Sequence, residues 1–242
     1  MIRIHTTSNL SVGTNILLDE NASHHLRNVL KAPLHSQIQL FNDVGQVCEG
    51  TIIELSRSTV AVKLIQAIDI NTESPLDVTL VQSVSRGDRM DYTLQKCVEL
   101  GVNKIIPVIS SRTVVRLDER KKTSRLRHWA GIVKHATEQS GRVKIATLEK
   151  IESLENWANI STAGEIMILD PLAGTSLAKH TLKSASVTIV AGPEGGFAKE
   201  ELELIKRKKL STTVSLGPRT LRSETAAVCA MSILQALWGD LA

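Results

Sequence analysis

The chain has 242 residues, 42% hydrophobic and 22% charged, and 29 Lys and Arg against 25 Asp and Glu give a formal charge of +4. That length buries roughly two-thirds or more of the unfolded surface, enough for one large domain or two small ones without covalent staples. Three separate cysteines (Cys48, Cys97, Cys229) form no CxxC pair, which excludes a disulfide framework or a structural zinc site and fits a reducing cytoplasm. No run reaches the ~18 apolar residues of a membrane span, and the opening MIRIHTTSNL has no apolar signal core. Aromatics at 2% argue against a base-stacking platform for single strands.

Residues 1–70 read as a small β-barrel-like domain. Short alternating runs at Ile16–Leu18, Ile38–Phe41, Val47–Leu55 and Val60–Ala67 predict strands, with turns at Asn42–Gly45 and Arg57-Ser58. One helix, about Ala22–Leu30, interrupts them, with Asn21 or Ser23 as its cap. The polar stretch from Asp69 to Pro75 reads as a linker. From residue 76 to 242 the period changes. Strands are expected at Val78–Val84, Lys104–Ile109, Ile166–Leu169, Val187–Ala191 and Val214–Leu216. Helices are expected at Arg89–Leu100, stopped by Gly101, then over a long basic stretch to about Gln139, at Glu200–Lys208 and at Ser223–Trp238. Strands alternating with helices imply a largely parallel α/β sheet that binds ligands at the carboxyl ends of its strands.

Charge is unevenly distributed. Residues 1–70 hold five basic and six acidic side chains, whereas Arg112–Lys150 holds eleven basic against four acidic, a local +7. Such an excess attracts polyanions even on a nearly neutral protein. The plain alternative is the solvated face of an amphipathic helix.

Two loops, each between a strand and a helix, carry the chemistry. Ala191-Gly192-Pro193-Glu194-Gly195-Gly196-Phe197 has three glycines in five positions, which lets a backbone approach a ligand closely. It has no Walker GK[ST] and no GxGxxG, and Pro193 lacks the N–H that a phosphate nest would use. A ligand without phosphates, held by backbone and shape, suits it better. The second loop, Ser215–Ala227, contains Gly217-Pro218-Arg219-Thr220-Leu221-Arg222-Ser223-Glu224. Glu224 falls in a first helical turn, where the dipole favours a carboxylate without any functional role. Arg222 has no such local explanation.

GPEGGF and LGPRTLRSETA resemble the cofactor loops of the SPOUT superfamily of knotted S-adenosylmethionine-dependent methyltransferases. More narrowly, the chain is similar to the RsmE family of 16S ribosomal RNA uracil-N3 methyltransferases. His24-His25-Leu26-Arg27-Asn28-Val29-Leu30-Lys31, Gln95–Val102, Glu138–Arg142 and Trp238–Leu241 extend the match over nearly the whole chain. Lys31 stands where the family usually has Arg, and Ala146 where it often has Pro.

The resemblance implies a C-terminal domain with a trefoil knot and a parallel sheet, and a small N-terminal PUA-like β-barrel that helps hold RNA through Arg3, His24, His25, Arg27 and Lys31. It implies a homodimer with active sites near the subunit interface. It places S-adenosylmethionine at Leu169, at Gly192, Pro193, Glu194, Gly195 and Gly196, and at Leu216, Gly217, Leu221, Thr225 and Ala226. The expected substrate is one uridine near the 3′ end of 16S ribosomal RNA in the small ribosomal subunit, with Lys121, Lys122 and Arg125 among the residues that meet phosphates.

Methyl transfer to uridine N3 requires a cation for the developing base anion and an acceptor for the N3 proton. Arg222 and Arg142 are the candidate cations, Glu138 and Glu224 the candidate bases. For Glu138 the plain alternative is a solvated helical carboxylate paired with Lys134. His24-His25 has no nearby cysteine or acidic cluster in sequence, so a barrel-surface or RNA-contact role outweighs a metal site. His128 and His135, seven apart on one helical face, read as incidental. No GxSxG elbow is present. Two readings from other classes remain open. One is a non-catalytic RNA-binding assembly factor, which methyl transfer to subunits would exclude. The other is a nucleotide-binding α/β protein, which titration with ATP against S-adenosylmethionine would separate.

Overall fold

The structure, a computed structural model, describes residues 1–56 and 58–241. Arg57, expected in a turn, and Ala242 lie outside the described residues. The chain divides into two compact units: Met1–Glu73 together with Thr137–Ile145, and Ser74–Ala136 together with the chain from Ala146 onward.

The first unit is built on β1 (Ile2–His5), β2 (Asn15–Leu17), β3 (Gln37–Phe41), β4 (Val47–Leu55) and β5 (Val60–Ala67), hydrogen-bonded in the order β1-β3-β4-β5-β2. Only β1 and β3 run parallel; the other pairs are antiparallel. The β3–β4 hairpin turns at Asn42–Gln46, where Asn42 Oδ1 accepts the Gln46 N–H at 3.0 Å and the Asn42 carbonyl accepts Gly45 N–H at 3.0 Å. Ile4, Ile16, Leu26, Leu40, Ile52 and Val62 form its core. Helix α1 (Glu20–His24) runs into a π-helical turn over His25–Val29. Its cap is Asp19, whose carboxylate accepts the Ala22 N–H at 2.8 Å, and not Asn21 or Ser23. Ser23 is buried and its hydroxyl is used inside, accepting the Val60 N–H at 3.1 Å.

The second unit carries a seven-stranded sheet: β6 (Asp77–Ser83), β7 (Lys104–Ile109), β8 (Thr147–Leu148), β9 (Glu152–Ser153), β10 (Glu165–Leu169), β11 (Ser186–Ala191) and β12 (Ser211–Val214). The order is β12-β10-β11-β6-β7-β8, with β9 also on β7, and every pair is parallel. Val78, Leu80, Val81, Ile166, Ile168 and Ile189 are fully buried, as expected of parallel strands covered on both faces. The helices are α2 (Asp88–Glu99), α3 (Glu119–Ser140), α4 (Leu154–Asn159), α5 (Lys199–Lys206) and α6 (Ser223–Trp238). Residues of α3 from Thr137 onward group with the first unit. Helix α2 packs against α6, and its Met90, Leu94, Cys97 and Val98 are buried. Burial there pushes the Cys97 thiol up to about 12.

Because β12, β10 and β11 are adjacent and parallel, their carboxyl ends open on one side, and the loops that leave them are neighbours. That side of an α/β sheet is where ligands bind.

Candidate active site

At those three strand ends lies a cavity of about 310 Å³, lined by Leu169–Pro171 at the end of β10, by Ala191–Glu194, Gly196 and Phe197 at the end of β11, and by residues from Val214 to Ala226 at the end of β12. The volume and the largely apolar wall (Leu169, Val214, Leu216, Leu221, Phe197, Ala226) match a small-molecule site with a few polar groups. Of the residues assigned to the cofactor from sequence, Leu169, Gly192, Pro193, Glu194, Gly196, Leu216, Leu221 and Ala226 line it; Gly195, Gly217 and Thr225 do not.

The glycines divide the work. A Cβ at Gly192 would come within 3.2 Å of the Phe197 ring, so any other residue there would push on the aromatic wall of the loop by a few tenths of an ångström. Gly196 has φ +66°, a conformation that side chains other than glycine rarely adopt. A Cβ at Gly195 meets only Arg112 carbon atoms at 3.6 Å, an ordinary van der Waals distance.

Charged groups gather at one rim. Arg222 lines the cavity, is exposed, and occupies the N-cap position of α6, its carbonyl accepting the Ala226 N–H at 2.8 Å. Glu194 also lines the cavity, and its Oε1 accepts from Arg89 Nη1 at 2.8 Å. Arg89 Nε lies 3.9 Å from Oε1 of Glu224, whose other carboxylate oxygen is buried without a partner among the described residues. Glu224 therefore sits behind the wall rather than on it. Arg112 belongs to the basic stretch expected to face a polyanion, but its Nη1 donates to the Gly195 carbonyl at 2.9 Å and props the glycine loop. Sequence reasoning missed Arg89 as a site residue because its two carboxylate partners lie over a hundred positions away in the chain.

The remaining predicted catalytic residues belong to the first unit. Glu138 is 7% exposed, and its Oε1 accepts the His5 backbone N–H at 3.0 Å, so it is not the solvated Lys134-paired carboxylate of the plain alternative. Arg142 forms a buried ion pair with Glu73, Nη2 to Oε2 at 2.5 Å, while Glu73 Oε1 accepts the N–H groups of Val143 and Lys144. Both side chains thus hold the first unit together.

The residues predicted to meet RNA differ in availability. Arg3 lies over the Phe41 ring at 5.2 Å, donates to the Arg142 carbonyl at 3.1 Å, and burial pulls its guanidinium below the usual value. His24 and Lys31 are exposed, and His25 and Arg27 are half-buried. Near the start of α3, Lys121 Nζ is 3.5 Å from Asp118 and Lys122 Nζ is 2.7 Å from Glu119. The Lys121 backbone N–H holds the Asp118 carboxyl below its ordinary range. Arg116, Arg120, Arg125 and Arg127 are exposed and have no anionic partner among the described residues.

Comparison with known proteins adds to this geometry. The family model of an RNA methyltransferase domain matches residues 72–235, and that of an RNA methyltransferase PUA domain matches residues 18–65. The chain is 30% identical to the ribosomal RNA small subunit methyltransferase E of Buchnera aphidicola (from Schizaphis graminum), over 99% of this chain and 97% of that protein. To the Bacillus subtilis protein of the same name it is 29% identical, over 87% and 86% of the two chains. A crystal structure of ribosomal RNA small subunit methyltransferase E from Neisseria gonorrhoeae, bound to S-adenosylmethionine, is 36% identical and superposes with a TM-score of 0.94 over 100% of both chains. The chain therefore belongs to the family of ribosomal RNA small subunit methyltransferases E, with a PUA domain preceding an RNA methyltransferase domain.

Proposed function

We propose that this protein transfers a methyl group from S-adenosylmethionine to N3 of one uridine of 16S ribosomal RNA in the small ribosomal subunit. The observation that carries the reading is the cavity at the ends of β10, β11 and β12, lined by the two Gly-Pro loops and by two exposed cations, Arg219 and Arg222. The residues fit the cofactor. The wall is mainly apolar, as an adenosyl group requires, and a Cβ built at Gly196 meets no protein atom within 4 Å. No Walker lysine is present for a triphosphate.

When bound, S-adenosylmethionine supplies an electrophilic methyl group on sulfur. The N3–carbon bond forms as the carbon–sulfur bond breaks, and the N3 proton leaves to a base or water. Arg222, at the rim, stabilises the negative charge that spreads onto the uracil oxygens. Apolar side chains exclude water and align the partners, which supplies much of the acceleration of an in-line displacement. Glu224, one of whose oxygens is buried without a partner among the described residues, is the candidate proton acceptor set behind the wall, while Asp170 and Glu194 are the carboxylates that line the cavity. The arginines of the α3 region engage phosphates and fix the RNA without reading sequence.

The same reading carries a knotted second unit and a homodimer. Val228, Cys229, Ile233 and Ala236, half-buried or exposed on one side of α6, form the surface that a second copy would cover. Light scattering at twice 26.4 kDa supports the dimer, and the monomer mass excludes it. Nucleoside mass spectrometry of small-subunit RNA from cells with and without the gene tests the activity. Loss of N3-methyluridine supports the proposal, and an unchanged level refutes it.

A further inference from the structure

Gln82 is a polar residue at the carboxyl end of β6, opposite Ala191 of β11, and is fully buried. Its Nε2 donates to the Ser83 carbonyl at 3.0 Å and to Ser223 Oγ at 3.0 Å. A carbonyl can only accept, so the bond to Ser83 fixes which end of the amide is nitrogen. The amide therefore donates to the Ser223 hydroxyl, and the hydroxyl proton is directed elsewhere: Ser223 Oγ donates to the Gly192 carbonyl at 2.6 Å. Gln82 Oε1 has no partner among the described residues, so this side chain contributes through its N–H groups alone.

The result is a directed chain, amide to hydroxyl to carbonyl, that joins the core strand to both loops of the cavity. Gly192 and Ser223 line the cavity, and Ser223 opens α6 immediately after Arg222. Buried donors and acceptors of this kind act as a unit, because losing one strands its neighbour without a partner.

We infer that Gln82 and Ser223 are positioning residues that set the seat of S-adenosylmethionine, Gln82 acting through Ser223 and Ser223 through the Gly192 backbone. The inference rests on the functional reading above. Gln82 itself is not part of the cavity wall.

The test is a double-mutant cycle on the full chain, read by calorimetry of S-adenosylmethionine binding and by the KM for cofactor and for small subunits. Gln82→Met and Ser223→Ala each weaken the cofactor by about tenfold, the scale of one buried hydrogen bond, and leave the KM for subunits unchanged. The double variant is no weaker than the worse single variant, because both remove one chain. Ser223→Thr keeps the hydroxyl and retains the affinity, which separates a broken hydrogen bond from a damaged fold. The inference is overturned if the two losses multiply to about a hundredfold, if either single variant binds as the unaltered protein does, or if Ser223→Thr fails like Ser223→Ala. Failure of the unaltered protein to bind S-adenosylmethionine overturns the functional reading and this inference together.

Discussion

Arg89 Nη1 donates to Glu194 Oε1 at 2.8 Å, and this bond ties the start of α2 to the glycine loop of the cavity. Arg89 is 43% and Glu194 31% exposed, so water screens the pair. Exposed ion pairs contribute about 0.2–1 kcal/mol. Arg89→Ala is therefore expected to weaken S-adenosylmethionine binding by less than about fivefold. Calorimetry showing a loss of about a hundredfold would mean that Arg89 touches the ligand directly.

The glycine loop makes a sharper prediction. Gly196 holds φ +66° and lines the cavity. Gly196→Val combines backbone strain of about 1–3 kcal/mol with a side chain beside the ligand, and is expected to abolish cofactor binding in a folded protein. Gly195→Val is expected to be milder, because Gly195 is off the wall and a Cβ there meets Arg112 at an ordinary distance. Equal affinities in these two variants would contradict the placement of the ligand.

Much of this is legible in the sequence. Strand β5 and helix α6 fall on the predicted residues because their apolar period is regular, and β4 does so although Glu49, Gly50 and Thr51 interrupt its apolar run. Both Gly-Pro loops are visible as loops between a strand and a helix. Strand β1 is not, since Ile2–His5 is four residues with no turn signal before it. Nor are β8, β9 and α4, which are two to six residues long and owe their form to tertiary packing. The grouping of Thr137–Ile145 with the first unit depends on Glu73 meeting Arg142, a pair 69 positions apart that no local pattern encodes. Gln82 does leave a signal, as the single amide in Val78–Val84, but its meaning depends on Ser223.

Glu73 and Arg142 predict a stability effect. Their side chains are 10% and 4% exposed, and the carboxylate also accepts two backbone N–H groups. Removing one partner leaves the other charge buried, which costs about 3–5 kcal/mol. Glu73→Ala should destabilise the first unit to urea by that amount, while cofactor affinity changes little. A destabilisation under about 1 kcal/mol would show that water replaces the pair.

Along the α3 region, the cations divide into paired and unpaired sets. Neutralising Arg120, Arg125 and Arg127 should lower the slope of log affinity for RNA against log salt by roughly 0.7 for each phosphate no longer engaged, about 2 if all three arginines engage one. Lys121 and Lys122 are already opposed by Asp118 and Glu119, so neutralising these two should change the slope less. Equal changes would place the phosphates on the lysines as well. With saturating RNA, turnover should be nearly intact in both variants, as for a loss of uniform binding.

The most direct test uses assembled small subunits, purified protein and S-adenosylmethionine labelled in its methyl group, with nucleosides read by mass spectrometry and Arg222→Ala run beside the unaltered protein. Label is expected in N3-methyluridine, with a rate at saturating cofactor and subunits about 10²-fold lower in Arg222→Ala, the scale of losing one donor to a developing anion. Label in another nucleoside, or none, would contradict the proposed reaction, and undiminished turnover by Arg222→Ala would contradict the role given to its guanidinium.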